Sequence, residues 1–400
     1  MSRVLRVRVA GPLAGHVEGF QAELARLEYT PLSAANQLRL MAHLSRWLIQ
    51  EGLLPSELTV AQVERFLVAR RSAGYVCWLS MRGLAPMLGY LRTVGAVPEP
   101  PVPVLSAVER LLAEYDVYLR IERGLAPSTV RNSTDVARLF LGRTQPAGEL
   151  DLASLDAAMV AGFVSGECIG RGVGQAKNTV TGLRALLRYL HLQGVTSASL
   201  VNVVPAVAGW RGGSLPRALP KGQFEKMLGA CDRRRRVGRR DFAVLLLLAR
   251  LGLRACEVAA LELGDIDWRA GDLLVRGKGR REERMPVPTD VGEELVGYLR
   301  VRGHSLHRAV FLQIRAPHGP ISDGAVKSLV REASRRAGLD PVGAHRLRHT
   351  AATQMLRSGA SLTEIGQVLR HRDPTTTAIY AKVDRTALRD LALPWPGGAS

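Results

Sequence analysis

Three scarcities bound this chain of 400 residues before any motif is read. No uninterrupted apolar run reaches the ~18 residues that a membrane-spanning helix needs, which argues against a membrane protein. The four cysteines, Cys77, Cys168, Cys231 and Cys256, are scattered and include no close pair of the metal-knuckle kind. They point to a reducing, cytoplasmic setting without disulfides or zinc. Lysine is scarce too, supplying six of the 55 basic residues. That fits an arginine-biased genome but leaves the excess of base over acid unexplained. The opening MSRVLRVRVAGPLAGHVEGF has arginines spread among its apolar residues, so a secretory signal is not expected there.

What the chain does have is positive charge on an ordinary globular background. Hydrophobic residues make up 46% and charged residues 23%, while the formal net charge is +19. The charge is lopsided, with 21 basic against 16 acidic residues up to position 200 and 34 against 20 beyond it. Such an imbalance points to a polyanion held mainly by the second half, nucleic acid above all. A solvated basic surface is the plainer alternative.

Two proline-rich stretches, VGAVPEPPVPVLS (94–106) and VPAVAGWRGGSLPRALP (204–220), cannot continue a helix and read as linkers. They divide the chain into 1–97, 105–205 and 218–400. The first two pieces look like versions of one another. YTPLSAANQLRLMAHLSRWL in one stands where the other has LAPSTVRNSTDVARLFL, and MRGLAPMLGYLRTVGAV stands against VTGLRALLRYLHLQGV. Apolar residues at three- and four-residue spacing make both pieces small helical bundles. The third piece is mixed. DFAVLLLLARLGLRACEVAALELGDIDW reads as a buried helix, a glycine break and a second helix starting near Arg254. GDLLVRGKGRREERMPVP alternates around Gly277, Lys278 and Gly279 as a β-hairpin does. The expected fold is therefore mainly α, with helical bundles ahead of an α+β domain that carries a small hairpin or sheet.

The segment HRLRHT (345–350) crowds base at the start of an apolar, helix-like run, where cations are disfavoured. Either the cost is met elsewhere or an anion sits there. His345 and Arg348 are three apart and share a helix face, a pairing suited to a tetrahedral oxyanion. Arg254 opens a helix with Glu257 three residues on, which taken alone is a capping pair. Lys278 on its turn is either solvated or a proton donor to a bound ligand, a task for which arginine is a poor acid. His371 precedes Tyr380 by nine residues. A tyrosine in that setting is usually packing, but it is also a nucleophile once its proton has an acceptor.

The order Arg, Lys, His-x-x-Arg, His, Tyr, carried by GLRACEVAALELGDID, GKGRREERMPVP, HRLRHTAAT and LRHRDPTTTAIYAKVD, resembles the tyrosine recombinase (phage integrase) family over about 220–390. The resemblance implies a catalytic domain preceded by a helical core-binding domain, here 105–205, clamping double-stranded DNA. It implies that Arg254 and Arg348 hold the scissile phosphate, and that Tyr380 attacks it to give a 3′-phosphotyrosyl link. Lys278 then protonates the leaving 5′ oxygen, His345 is the acid–base partner of tyrosine and phosphate, and His371 donates to the phosphate. Glu257 orients Arg254, and His349 is a buried structural residue. No cofactor, neither ATP nor an obligatory metal, is implied. Four active sites imply a homotetramer on two duplexes, with accessory DNA-bending or directionality proteins as further partners. The reactions covered are integration, excision, transposition and dimer resolution. The alternatives are a type IB-like topoisomerase, which shares the chemistry, and a DNA-binding regulator with a decayed site.

Two departures from the family stand out. Many relatives have Leu-Gly-His where this chain has Leu369, Arg370 and His371, so Arg370 is expected to contact DNA or a neighbouring subunit. Residues 1–97 are an extra helical unit that binds arm-type sites, extends the clamp or mediates subunit contacts. The run Arg233, Arg234, Arg235 and Arg236, with Arg239 and Arg240, is either a solvated helix end or a phosphate contact. The stretch from Ala387 to Leu393 is expected to dock on an adjacent subunit or pack on its own domain.

Overall fold

The computed structural model describes residues 7–101, 104–145, 150–196, 200–207, 218–277, 281–303, 305–371 and 373–383. Lys278, Arg372 and the 387–393 stretch lie outside the described residues. The described chain is mostly helical, with a three-stranded antiparallel sheet. It divides into two compact units, 101–213 and the combination of 1–100 with 214–400. Three separate hydrophobic cores occupy 13–97, 111–204 and 219–347.

The first core is built by α1 (Val17–Arg26), α2 (Pro31–Glu51), α3 (Val60–Ser72) and α4 (Met81–Thr93). Pro31 opens α2 behind the Thr30 cap, and Thr59 caps α3. The second core repeats the order with α5 (Ala107–Val117), α6 (Pro127–Thr144), α7 (Ala157–Cys168) and α8 (Val173–Leu192). Pro127 opens α6 as Pro31 opens α2, and Asp156 caps α7. Aligning the two prolines superimposes the buried positions: Gln37, Leu40, Met41, Leu44 and Ser45 fall on Ser133, Val136, Ala137, Phe140 and Leu141.

The third core begins with α9 (Gln223–Gly229) and α10 (Arg236–Ala249), whose apolar run from Ala243 to Ala249 is buried throughout. Next come α11 (Ala255–Ala259) and the sheet of β1 (Ile266–Asp267), β2 (Asp272–Arg276) and β3 (Glu282–Pro286), paired in that order. Leu273 faces Met285 and Arg276 faces Glu282, so β2 and β3 pair antiparallel along their full length. Helices α12 (Thr289–Arg302), α13 (Asp323–Arg336), α14 (Ala344–Arg357), α15 (Leu362–Val368) and α16 (Pro374–Ala378) follow. A small fourth cluster joins Ala352, Ile365, Leu369 and Tyr380, and it ties the end of the described chain to α14 and α15.

Candidate active site

The site grows from the break between α10 and α11. Gly252 adopts φ +61, a left-handed conformation that residues with a side chain rarely take, and a Cβ there would press on the Leu369 side chain. The turn delivers Arg254 to the cap of α11. Glu257, 2% exposed, accepts from the Arg254 backbone at 2.8 Å and from its Nη1 at 2.6 Å. The capping pair therefore also fixes the direction of the guanidinium.

Helix α14 supplies the rest. Its first turn contains no acidic residue. His345 opens onto a cleft of about 450 Å³ that Arg254 and Arg348 also line, with Arg331 and the Lys327–Asp323 ion pair of α13 on its wall. Arg348 is 1% exposed and donates to the carbonyls of Gly252 and Leu369. Burial, followed by the charge of Arg254, pushes its pKa down to about 10. Three cationic or imidazole groups thus converge on one cleft, and an anion there would offset their repulsion. Partial desolvation and the two arginines also hold the His345 imidazole below its usual range.

The Tyr380 hydroxyl lies 2.8 Å from Nδ1 of His349. Tyr380 is 1% exposed, and burial raises its phenol to about 12. Burial, then His345 and Arg348, pushes His349 down to about 4, so its ring is neutral near pH 7. In the tautomer protonated at Nε2, Nδ1 accepts the phenol's proton in a hydrogen bond. His349, expected as a buried structural residue, is thus the histidine that meets the tyrosine, while His345 faces the cleft. The two rings sit edge to face with centroids 4.5 Å apart, and α14 points the second one at Tyr380. His371, likewise pushed down to about 4 by burial and then by Arg348, lies 2.7 Å through Nδ1 from Thr377 Oγ1.

Arg370 is held inside its domain. Its side chain is 6% exposed, and Nη2 donates to Glu257 Oε2 at 2.8 Å. Its backbone takes φ +55, the left-handed region that a glycine would fill without strain. Burial alone would raise the Glu257 carboxyl, but the charge of Arg370 and the bonds from Arg254 more than reverse this and hold it low. Glu257 therefore bridges Arg254 and Arg370.

The arginine run before α10 lies apart from the cleft. Arg233 pairs with Glu294 at 2.8 Å and stacks on Phe242, and Arg235 reaches Asp232 at 3.5 Å. Arg240 donates to the buried Asp241, which Arg336 also holds. Arg234 and Arg236 make no ion pair among the described residues, and Arg239 packs its guanidinium beside Gly297. No group of three or more described His, Cys, Asp or Glu residues could hold a metal ion. No helix among the described residues is long and apolar enough to cross a membrane.

Residues 217–386 match the family described as the Phage integrase family. Over 396 residues the chain is 41% identical to the Sinorhizobium fredii protein named integrase/recombinase y4rA, covering 97% of this chain and 96% of that one. It is 28% identical over 290 residues to tyrosine recombinase XerD of Listeria monocytogenes, covering 70% of this chain and 96% of that one. Among solved structures, a lambda integrase dimer bound to a COC′ core site is similar over 72% of this chain and 97% of its own, at 19% identity and TM-score 0.54. XerH bound to palindromic difH is similar over 73% and 98%, at 20% identity and TM-score 0.54. These two likenesses concern the fold. The near full-length relative and the family match, falling on the domain that gathers Arg254, Arg348 and Tyr380, establish that the chain belongs to the phage integrase family and is a tyrosine-type site-specific recombinase.

Proposed function

We propose that the chain cuts and rejoins duplex DNA through Tyr380, working in the cytoplasm as a homotetramer on two paired sites. The observation that carries this reading is the convergence of Arg254, His345 and Arg348 on one cleft, with the phenol of Tyr380 held by His349, whose ring packs on that of His345. The scissile phosphate occupies the cleft, where Arg254 and Arg348 neutralise charge on its non-bridging oxygens and His345 donates a further hydrogen bond. The phenol of Tyr380 moves out of its buried pocket and attacks. A bond forms between its oxygen and phosphorus while the bond to the 5′ oxygen breaks. The phenol's proton passes to the neutral His349, and the leaving oxygen takes a proton from Lys278. Rejoining runs the same steps backward with a different 5′ hydroxyl, so the bond energy is conserved in the phosphotyrosyl link.

The three cores support three modules, 1–97, 105–205 and 218–400, of which 105–205 is the core-binding domain. The lambda integrase tetramer solved on a Holliday junction supports the tetrameric assembly. The reading is tested with a plasmid that carries two copies of the element's end sequence in a cell expressing the chain. A junction joining the two copies is the expected product. Relaxation of the plasmid without any exchanged junction would favour the topoisomerase reading instead.

A further inference from the structure

The extra bundle at 7–97 differs from its counterpart on one helix face. On α2, Arg39, His43 and Arg46 stand at successive turns of the same side and, with Arg8, line a cavity of about 280 Å³. No carboxylate lines that cavity, and none of these arginines forms an ion pair with a described residue. Arg39 reaches only Asn36, at 2.6 Å, and Arg46 lies 3.2 Å from His43 Nδ1. In the register that aligns Pro31 with Pro127, the same three positions of α6 are Asp135, Leu139 and Gly142. The second bundle folds without the basic face, so the fold does not require it. Of the three arginines on α6, Arg138 pairs with Glu109 and Arg143 with Glu167.

A second observation lies behind the face. Arg70 is 5% exposed, and its Nε and Nη1 have no hydrogen-bond partner. Its guanidinium sits 4.2 Å from the Tyr75 ring, whose edge meets the His43 ring at 5.0 Å. A buried guanidinium without a carboxylate is destabilising unless an anion is near. Burial, then Arg46 and Arg70, pushes the His43 imidazole below its usual range, and Arg46 Nη2 lies 3.2 Å from its Nδ1.

We propose that this face of α2, with Arg8, Arg39, His43 and Arg46, is a second DNA-binding surface that grips the phosphate backbone of duplex DNA independently of the catalytic cleft. The inference rests on the reading of the chain as a DNA recombinase. At 1.5 Å rise per residue, Arg39 and Arg46 are about 10 Å apart along α2, close to three base-pair steps at 3.4 Å. Guanidinium contacts of this kind position DNA and carry no base readout.

The test is a salt titration of the full chain on a random-sequence 60-bp duplex, comparing wild type, R39A/R46A and the charge-matched control R26A/R65A. Arg26 and Arg65 are exposed partners of Glu23 and Glu51 on the same bundle. We expect R39A/R46A to bind about tenfold more weakly near 0.1 M salt and to lose about 2 from the log–log salt slope. The control should stay close to wild type, and Tyr380 adduct formation on a nicked core duplex should persist in R39A/R46A. Equal affinity and slope for R39A/R46A and wild type would overturn the surface while leaving the recombinase intact. So would an equal loss in the control. Failure of wild type to bind any duplex would overturn the DNA reading itself, and this surface with it.

Discussion

Arg370 turns its guanidinium inward from a backbone conformation that costs about 1–2 kcal/mol for a side-chain-bearing residue. The ion pair with Glu257 is what the strain is exchanged for, and it holds the carboxylate that in turn aims Arg254. Replacing Arg370 with glycine should relieve the backbone and leave the fold intact. It should also loosen Glu257, so that strand cleavage slows by about tenfold while DNA affinity holds. Unchanged cleavage in R370G would remove Arg370 from any positioning role, and recovery in R370K would assign the effect to its charge. His349 makes a parallel case. H349A should slow cleavage about 100-fold at neutral pH, because the phenol, raised to about 12, then lacks an acceptor for its proton. With His349 at about 4, the wild-type cleavage rate should show no titration near pH 6.5, and a clear step there would contradict the neutral-His349 account.

At the scale of elements, the account depends on the close approach of the α10–α11 turn to the Leu369–Arg370 segment. Gly252 has a positive φ, its missing Cβ would strike Leu369, and its carbonyl accepts from Arg348. G252A should lower stability by about 1–3 kcal/mol and abolish cleavage together. An unchanged melting temperature with full activity would show that the turn has slack. Much of this local structure was legible beforehand. The His-x-x-Arg spacing placed both side chains on one helix face, and Glu257 three residues after Arg254 announced a cap. The bundles followed from apolar periodicity and the hairpin from alternation around Gly277. What could not be read were contacts set by tertiary approach: His349 meets a tyrosine 31 positions later, and Arg370 meets a glutamate 113 positions earlier. Arg370 looked like a surface cation because arginine is rarely buried, and only its left-handed backbone, invisible in sequence, forces it inward.

For the whole molecule, the neutral imidazoles of the catalytic domain set a pH limit on stability. His349 and His371 sit at about 4 in the fold, against about 6.5 for an ordinary histidine. Their stabilising contribution is complete above about pH 6.5. As pH falls the unfolded chain takes up protons first, so the contribution declines until the folded values are passed. The urea midpoint should therefore drop between pH 7.5 and 5, and the H349N/H371N variant should drop less. Parallel curves for the two proteins would contradict the neutral-histidine account. The net charge of +19 acts at the same scale, making any duplex binding strongly salt-dependent.

The most direct test of the central claim is a nicked duplex carrying the element's end sequence, incubated with wild type and with Y380F and run on a denaturing gel. The account predicts a slow-migrating covalent protein–DNA band for wild type and none for Y380F, with equal binding by both. A wild-type protein that binds this DNA but never forms the band, or a band that survives in Y380F, would contradict it.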